Sequence, residues 1–531
     1  MSDHGQLYFN GTARTMDPAC PVAEAVAVRG GKIIAVGVKG ACTSTLEKGF
    51  EPVDLQGGAL LPGFIDTHLH PVMLIFFAMN CELGGVASMT ELQERLRDAL
   101  LKKSDDSWLV GLNFDEQSLQ EKRVLDRRDL DAVSTERPVV VIKHDGHSVF
   151  ANTRAIEAAG ITASTPDPEA GAIEREEGGY PSGIFRETAL QLVMNNMPMP
   201  DLPVLIESAR STFQRLTSLG ITSAGVVLQT GTEGPAGSAG AFDTAAMQLF
   251  SEHCPLSLYS LLITSEVNEL DGLRNSVLNA GSHRLGGVKL FADGTFGSST
   301  AYMQEPFSDN PQKRGILMHP PDELYRRMAA AHNAGWQVCI HAIGDAANRL
   351  CVEFYRRLFE EFPRTGCRHR IEHASIMDTQ VIKEMARLGI VVSTQPMFIH
   401  SEKDWLPRRL GAARCKTVYP FRSFLDAGIK VAGASDAPIE SQDVLHAIQC
   451  CVTREGFEPH QCISVEKAVR MYTLDAAYAQ FEDRIKGSIT PGKRADLVVI
   501  EEDPFKINPD MIKDIRLVRT VVAGETVFSA A

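Results

Sequence analysis

Short apolar segments alternate with longer stretches of helical periodicity through the middle of the chain. This alternation is typical of a parallel α/β fold, in which each strand is followed by a helix. Eight candidate strands lie at 63–68, 221–227, 256–263, 286–291, 336–341, 368–373, 390–395 and 429–435. Eight strands separated by helices predict a (β/α)8 TIM barrel, which we expect to span residues 61–486.

The two ends of the chain carry further strand patterns. Residues 7–9 run into the turn pair Asn10-Gly11, and the segments 23–28 and 32–37 flank a glycine turn as in a β-hairpin. Similar apolar segments occur near the other end, at 497–500, 515–522 and 526–528. Neither set is large enough to bury a core by itself. We therefore expect residues 1–60 and 487–531 to pair in one small β-sandwich domain formed by both chain termini.

Residues 80–205 separate the first two predicted barrel strands and are too many for an ordinary connection. This segment has helical spacing over 90–101, an apolar strand pattern at 138–142 and glycine turns further on. We expect an insertion after barrel strand 1 that forms a cap over the catalytic face. Its most chemically suggestive residues are His144 and His147, which would contact the active site or belong to a plain turn after the strand.

Composition narrows the class of partner. The formal net charge is -14 and the pI is about 5.6, so nucleic acid and anionic membranes would be repelled. A small-molecule substrate is the expected partner, and the sequence leaves a homodimer open. The 11 cysteines show no paired spacing and fit reduced thiols, which predicts a cytoplasmic protein. The first residues show no basic region followed by an apolar run, so we expect no secretory signal.

Polar residues cluster where the predicted barrel strands end. His68 and His70 follow the first strand, and alternate residues of an extended chain share a face, so the two rings could hold one cation. Later strands end at or near Lys289, Asp293, His341, His373 and Asp436. The active sites of TIM barrels lie at the carboxyl ends of the strands. The placement therefore predicts a metal site, although a solvated histidine pair or a histidine satisfied in the core would be the plainer interpretation of each motif alone.

Six motifs in this order resemble the metal-dependent amidohydrolase superfamily. They are PGFIDTHLH at 62–70, VKLFADG at 288–294, HAIGD at 341–345, IEH at 371–373, GASDAP at 433–438 and GSITPGKRAD at 487–496. Together with the insertion that contains Asp145-Gly146-His147, they are similar to the YtcJ-like, or amidohydrolase-3, branch, which includes N-substituted formamide deformylases. The resemblance covers almost the whole chain.

The resemblance implies a role for each residue of the predicted metal site. His68 and His70 would hold one metal, His341 and His373 a second, and Lys289 would bridge the two as a carbamate, since a free ammonium cannot bind a cation. Asp436 would contact the first metal and act as the catalytic acid and base. Zinc suits this donor set, as one or two ions, with manganese or iron as alternatives. The alternative for Lys289 is an ion pair with Asp293.

The same resemblance favours hydrolysis of a carbon–nitrogen bond other than a peptide bond. No basic cluster selects a charged group, so an uncharged N-acyl or N-formyl amide is the expected substrate. The candidates for substrate contact are Gln395, Asp293, His144 and His147, with packing or support of the metal site as the alternative for Gln395. A cyclic amidohydrolase or deaminase with the same centre, a barrel enzyme of another reaction type and a catalytically silent binding or regulatory protein remain alternatives.

Overall fold

A computed structural model describes residues 5–46, 49–103, 107–143, 148–169, 171–198, 200–231, 233–234 and 237–530. The chain divides into two compact units, one made of Met1–Val72 with Thr212–Ala531 and the other of Met73–Ser211. His144 and His147, which the sequence suggested for substrate contact, lie outside the described residues.

The first unit contains an eight-stranded sheet in which every neighbouring pair is parallel. The strands follow one another around the sheet in chain order: β1 Phe64–Leu69, β2 Ile221–Gln229, β3 Ser257–Ile263, β4 Arg284–Phe291, β5 Gln337–Ala342, β6 Arg370–His373, β7 Val391–Thr394 and β8 Val431–Gly433. Their apolar composition matches their burial, because strands of a parallel sheet are covered on both faces. The eight predicted strands are confirmed.

Hydrogen bonds close the sheet between its first and last strands. The Thr67 hydroxyl of β1 donates to the Gly433 carbonyl of β8 at 3.0 Å. Just beyond the strand ends, the Asp436 N–H donates to the His68 carbonyl at 2.7 Å, and the His70 N–H donates to the Ala437 carbonyl at 2.8 Å. The predicted TIM barrel is confirmed, and its closure brings the first histidine motif beside Asp436.

Helices follow the barrel strands. The helix Thr379–Leu388 is typical: the Asp378 side chain caps its first N–H groups, Gly389 ends it in the left-handed conformation, and Val381 and Met385 lie on its buried face. The other α-helices of this part of the chain are Leu202–Ser218, Asp243–Ser251, Asn268–Gly272, Pro321–Asn333, Asp345–Glu361, Met397–Glu402, Leu406–Leu410, Ala412–Cys415, Phe421–Asp426, Val444–Thr453, Val465–Met471 and Leu474–Ala479.

Segments from both ends of the chain build two further sheets. One contains, in spatial order, Lys32–Gly37, Ala25–Arg29, Gly5–Phe9 and Phe50–Asp54. The other contains Glu525–Ser529, Leu517–Val522, Leu497–Ile500, Ala59–Pro62, Thr12–Arg14 and Val22–Ala23. Leu497 pairs with Pro62 in antiparallel register. Buried side chains of the two sheets, among them Tyr8, Val26 and Leu497, pack in one cluster. The helix Lys39–Leu46 packs on Leu7 and Ala27.

The second unit is built around a six-stranded sheet. Its strands, in spatial order, are Gly171–Arg175, Pro181–Glu187, Ser148–Ala151, Val139–Lys143, Leu109–Phe114 and Cys81–Glu82. Its helices include Met89–Lys102, Arg127–Asp131, Thr153–Ala158 and Gln191–Met194, and the short helix Pro71–Ala78 leads into it. Ser88 caps the helix Met89–Lys102, and Leu92 and Leu96 bury one face of it. The helix expected over 90–101 and the strand expected at 138–142 are both present.

Across the described residues, no helix combines the length and the apolar character needed to cross a bilayer. The longest α-helices, Leu202–Ser218 and Asp345–Glu361, have 17 residues each and carry charged side chains.

Candidate metal centre

The residues that the sequence singled out as metal ligands meet at the carboxyl end of the barrel. All are buried, with at most 9% of their surface exposed: His68, His70, Lys289, His341, His373 and Asp436. His70 and Asp436 lie 366 positions apart in the chain, yet His70 Nε2 lies 3.2 Å from Asp436 Oδ1. The closed ring of strands therefore assembles this group from five separate strand ends.

Three of these residues form a compact donor group. His68 Nε2 lies 3.3 Å from Asp436 Oδ1, the same oxygen that His70 Nε2 approaches. One potential ligand atom from each residue lies within 4.8 Å of the other two. Two imidazoles and a carboxylate at this spacing match the nitrogen and oxygen donors that divalent transition metals bind.

A carboxylate on β6 fixes the orientation of His68. His68 Nδ1 lies 2.7 Å from Glu372 Oε2, and because a carboxylate only accepts, His68 must carry its proton on Nδ1. The other oxygen of Glu372 accepts from Arg370 Nε at 2.7 Å. His68 Nε2 is therefore left as a lone pair that faces Lys289 and Asp436.

Lys289 contacts His68 inside the candidate metal centre. Its Nζ atom lies 3.0 Å from His68 Nε2, and only 1% of the residue is exposed. Burial lowers the pKa of Lys289, which favours the neutral amine. The alternative partner named for it, Asp293, is engaged elsewhere, and among the described residues no hydrogen bond or ion pair joins the two side chains.

Two further histidines pack against each other beside this group. The rings of His341 and His373 have centroids 4.3 Å apart. His341 Nε2 lies 3.1 Å from the Gly294 carbonyl, and His373 Nδ1 lies 2.9 Å from Gln395 Oε1. Both oxygens are acceptors, so His341 keeps its lone pair on Nδ1 and His373 keeps its lone pair on Nε2.

Asp293 holds the main chain that carries His341. Its two oxygens accept N–H groups from Ile343 at 3.0 Å, Gly344 at 2.8 Å and Tyr302 at 2.8 Å. Burial raises the pKa of Asp293 to about 7 in spite of these hydrogen bonds. The carboxylate thus fixes the turn after β5, and its contact with substrate stays a prediction.

Gln395 supports His373 through its carbonyl oxygen. The residue is fully buried, and its Nε2 atom has no hydrogen-bond partner in the part of the chain that the structure describes. This arrangement matches the supporting role that the sequence left open for Gln395. A donor without a partner beside His373 is also placed to serve a bound molecule, so substrate contact by Gln395 stays a prediction.

Burial sets the charge state of the centre. It lowers the pKa of His68 to about 4 and the pKa of His341 to about 3. The pKa of His373 also falls well below its ordinary value because the ring is buried. Burial opposes ionisation of Asp436, but the hydrogen bond from His70 and the histidines around it hold the pKa of this carboxyl well below its usual range. His68, His341 and His373 are therefore neutral imidazoles beside an ionised carboxylate, which is the form that binds metal.

Sequence reasoning missed two carboxylates that hold the ligands in place. Glu372 orients His68, and its charge is balanced by Arg370, which lies on the same face of β6 and is fully buried. Asp66 accepts the N–H groups of His68 and Ser435, both at 3.1 Å, and so ties β1 to the segment after β8. The sequence signal for both was a charged residue inside an otherwise apolar strand. Such a residue indicates a buried partner, because an ionised group is buried only when it is paired or hydrogen-bonded.

The donor chemistry of this centre fits the metal-dependent interpretation. The described residues supply four imidazoles, three of them with tautomers fixed by an acceptor, together with an ionised carboxylate and a buried lysine whose pKa is lowered. The residues present therefore fit one or two divalent ions.

Known proteins are similar to this chain in sequence and in architecture. The sequence profile of the amidohydrolase family matches residues 51–528. The Bacillus subtilis protein YtcJ is 29% identical over 487 residues, covering 90% of each chain. The N-substituted formamide deformylase of Arthrobacter pascens is 28% identical over 536 residues, covering 98% of this chain and 97% of its own. The crystal structure of a metal-dependent hydrolase from Pyrococcus furiosus has a TM-score of 0.76 and 27% identity, covering 94% of this chain and 100% of that one.

Proposed function

Because the chain belongs to the amidohydrolase family of metal-dependent enzymes, which act on carbon–nitrogen bonds other than peptide bonds, we propose that it hydrolyses an uncharged N-formyl or N-acyl amide. The observation that carries the proposal is the convergence of His68, His70 and Asp436 on one point at the carboxyl end of the barrel. The deformylase from Arthrobacter pascens, similar over nearly its whole length, supports the choice of an N-formyl group.

Two ions are proposed for this centre. His68, His70 and Asp436 would hold one, and His341 and His373 the other, with zinc as the metal that best suits mixed imidazole and oxygen donors. Such ions, when bound, supply Lewis-acid polarisation of a carbonyl and lower the pKa of water.

Lys289 would bridge the two ions after carboxylation. Its buried amine, with a lowered pKa, is the form that attacks carbon dioxide. The nitrogen lone pair forms a bond to the carbon of carbon dioxide, one carbon–oxygen π bond opens, and the nitrogen releases one proton to water, so the side chain would end in an anionic carbamate with two oxygen donors. Burial of Lys289 against His68 Nε2, rather than against Asp293, supports this role.

Asp436 is the residue proposed to move the proton. As an ionised carboxylate beside His68 and His70, it accepts the proton of the attacking water and then donates it to the nitrogen of the departing amine. The products are a carboxylic acid, formate in the case of an N-formyl substrate, and an amine. Glu372 keeps His68 in the tautomer that this geometry requires.

A substrate panel tests the proposal. The protein is purified without chelator, its metal content is measured, and release of amine is followed with N-formyl amines, N-acyl amines, cyclic amides and amino-substituted heterocycles. We expect kcat/KM to be highest for N-formyl or N-acyl amines, and Asp436→Asn to lower kcat by about 10²–10⁴-fold. Hydrolysis confined to cyclic amides, or loss of ammonia from the heterocycles, would overturn the substrate class. A metal-loaded protein that hydrolyses no member of the panel would contradict the reaction.

A further inference from the structure

A second group of potential ligands lies outside the candidate metal centre. It consists of His400, His446 and Glu455, with one ligand atom of each within 4.8 Å of the other two. His400 Nδ1 lies 2.9 Å from Glu455 Oε1, and His446 Nε2 lies 3.1 Å from the same oxygen. The two rings are in edge contact, with centroids 4.8 Å apart.

Three separate elements present these side chains. His400 lies on the helix Met397–Glu402, which follows β7, and His446 lies in the first turn of the helix Val444–Thr453, which follows β8. Glu455 belongs to the turn after that second helix and has a positive φ of 48°. The neighbouring Arg454 is fully buried and donates to the carbonyls of Phe457, Tyr419 and Val418. The buried guanidinium holds the turn in the conformation that places Glu455 between the histidines.

The spacing of the three atoms is close to that of a metal site. Tetrahedral zinc with bonds of about 2.0–2.1 Å separates its ligand atoms by roughly 3.3 Å. Two of the three separations, 2.9 Å and 3.1 Å, are already near this value. The His400 side chain is 48% exposed, so its ring can move outward by the small amount needed. Solvent also gives an ion direct access to the group.

Lys403 balances the charge of the group. Its Nζ atom lies 2.9 Å from Glu455 Oε2, and its side chain is 23% exposed. Burial works against ionisation of Glu455, but hydrogen bonds from Lys403, His400 and His446 lower its pKa to about 2. The carboxylate is therefore negative at neutral pH. An arriving cation would compete with the Lys403 ammonium, which can swing into solvent.

A third group of potential ligands, His332, Cys367 and His369, differs from the group at His400 because its ring nitrogens already have hydrogen-bond partners. His369 Nδ1 accepts the Val338 N–H at 3.0 Å, and His332 Nε2 lies 2.9 Å from the Phe362 carbonyl. The remaining ring nitrogens lie 2.8 Å from each other. Both rings are thus satisfied on both sides, and all three residues are buried. This group is a closed hydrogen-bond chain in the core and offers no entry for an ion.

We propose that His400, His446 and Glu455 bind one divalent transition-metal ion of the zinc type, at a site separate from the catalytic centre. Two imidazoles and a carboxylate from different elements form the donor set, and the ion ties the segment after β7 to the helix after β8. Both segments begin at the catalytic centre, because Gln395 precedes the first and Asp436 precedes the second. Occupancy of the site would therefore stabilise the part of the barrel mouth that carries these two residues.

Calorimetric titration with Zn²⁺ tests the site. The full chain, with its catalytic centre already loaded, is dialysed against metal-free buffer and titrated with ZnCl₂. We expect the unmodified chain to bind one further equivalent, and His446→Ala and Glu455→Gln to lose it. His460→Ala is the matched control, because His460 is an exposed histidine beside its own carboxylate, Glu458, at 3.4 Å. It should bind the extra ion like the unmodified chain.

Two further measurements separate loss of the site from loss of folding. Lys403→Met removes the competing ammonium and should tighten zinc binding by about fivefold, the equivalent of one exposed ion pair. Anomalous diffraction at the zinc edge should give a peak bonded to His400 Nδ1, His446 Nε2 and the Glu455 carboxylate. The proposal is overturned if His446→Ala binds as much zinc as the unmodified chain, if Lys403→Met leaves the affinity unchanged, or if no peak lies within the group. None of these results depends on the hydrolytic reaction.

Discussion

His68 Nδ1 and Glu372 Oε2 lie 2.7 Å apart and join two residues separated by 304 positions in the chain. The contact is fully buried, and Arg370 balances the carboxylate from its other side. Burial opposes the charge on Glu372, but Arg370 and His68 hold the pKa of the carboxyl well below its usual range. One hydrogen bond therefore decides which nitrogen of His68 faces the metal centre.

The first prediction concerns this orienting bond. Glu372→Gln keeps the size of the side chain but removes the charge, so it weakens the hold on His68 and leaves Arg370 without its buried counter-ion. Loss of a partner that orients a metal ligand lowers metal affinity by about 10–100-fold. Competition with a chromogenic chelator measures the metal affinity of the variant and of the unmodified chain. Glu360→Gln, at an exposed carboxylate paired with Arg356, is the control and should retain the affinity of the unmodified chain.

A second prediction concerns Lys289. Lys289→Met keeps the volume but cannot form a carbamate, so metal content should fall by at least one equivalent. Activity should fall by more than the roughly 100-fold that follows loss of a partner orienting a ligand. Elemental analysis and native mass spectrometry measure the two quantities, and the unmodified chain should carry the added mass of carbon dioxide. Lys430→Met, at a partly exposed lysine, serves as the comparison. Full metal content in Lys289→Met would exclude the bridging role.

Asp436 gives a third prediction. Asp436→Asn removes the group proposed to accept and return the proton, so kcat should fall by about 10²–10⁴-fold, the usual contribution of general acid–base catalysis. Asp404→Asn changes an exposed carboxylate, 87% accessible, and should leave kcat unchanged. Steady-state kinetics on the best amide of the substrate panel makes the comparison. An Asp436→Asn enzyme with unaltered kcat would remove this residue from the mechanism.

The fourth prediction concerns the main chain that follows His341. A Cβ atom at Gly344 would lie 2.0 Å from the Tyr302 carbonyl oxygen, so Gly344→Ala must displace the main chain that Asp293 holds. We expect a loss of about 1–3 kcal/mol in the free energy of unfolding, as for other overpacked positions. At Gly297 the nearest atom would lie 4.0 Å away. In urea denaturation, Gly344→Ala should therefore have a lower midpoint than the unmodified chain, and Gly297→Ala should have the same midpoint.

A fifth prediction concerns pH. Burial lowers the pKa of His369 to about 3, while the unfolded chain would titrate near the ordinary value of 6.5. Below pH 6.5 the unfolded state binds the proton more readily, so the free energy of unfolding falls as pH decreases toward 3. Between these two pKa values, one such histidine lowers the free energy of unfolding by about 1.4 kcal/mol for each pH unit of acidification. Above pH 6.5 this loss is absent.

The variant His369→Asn isolates this contribution. Its amide oxygen can still accept the Val338 N–H, but the side chain does not titrate. Urea midpoints between pH 7 and pH 5 should decline less steeply for His369→Asn than for the unmodified chain. Equal slopes would show that His369 does not drive the loss of stability in acid.

The barrel strands were accessible from sequence because each is a local pattern. An apolar segment such as β3 or β5 is buried on both faces, and burial selects Val, Ile and Leu wherever the strand lies in the ring. The predicted metal ligands were accessible for a related reason: they occupy the residues at or just after strand ends, and parallel strands in a closed barrel bring those ends to one face. The barrel and the positions of the predicted ligands therefore follow from patterns that act over a few residues.

The supporting contacts were not accessible in the same way. Nothing in the neighbourhood of Glu372 indicates that its partner is His68, and the same holds for Asp293 with the Ile343 and Gly344 N–H groups. The zinc-type group at His400, His446 and Glu455 is assembled from two helices and a turn. These contacts depend on how far each strand is rotated and staggered in the ring, which no single segment specifies.

By itself, the sequence determined the alternation of strands and helices, the eight barrel strands and the imidazole, lysine and carboxylate groups at their ends, because periodicity and burial act over a few residues. Only the tertiary structure decided which nitrogen of each histidine faces the centre, that Lys289 lies against His68 rather than Asp293, and which buried charges support the ligands. The physical reason is that hydrogen bonds act over about 3 Å, a distance that is fixed only when the closed barrel sets residues hundreds of positions apart side by side.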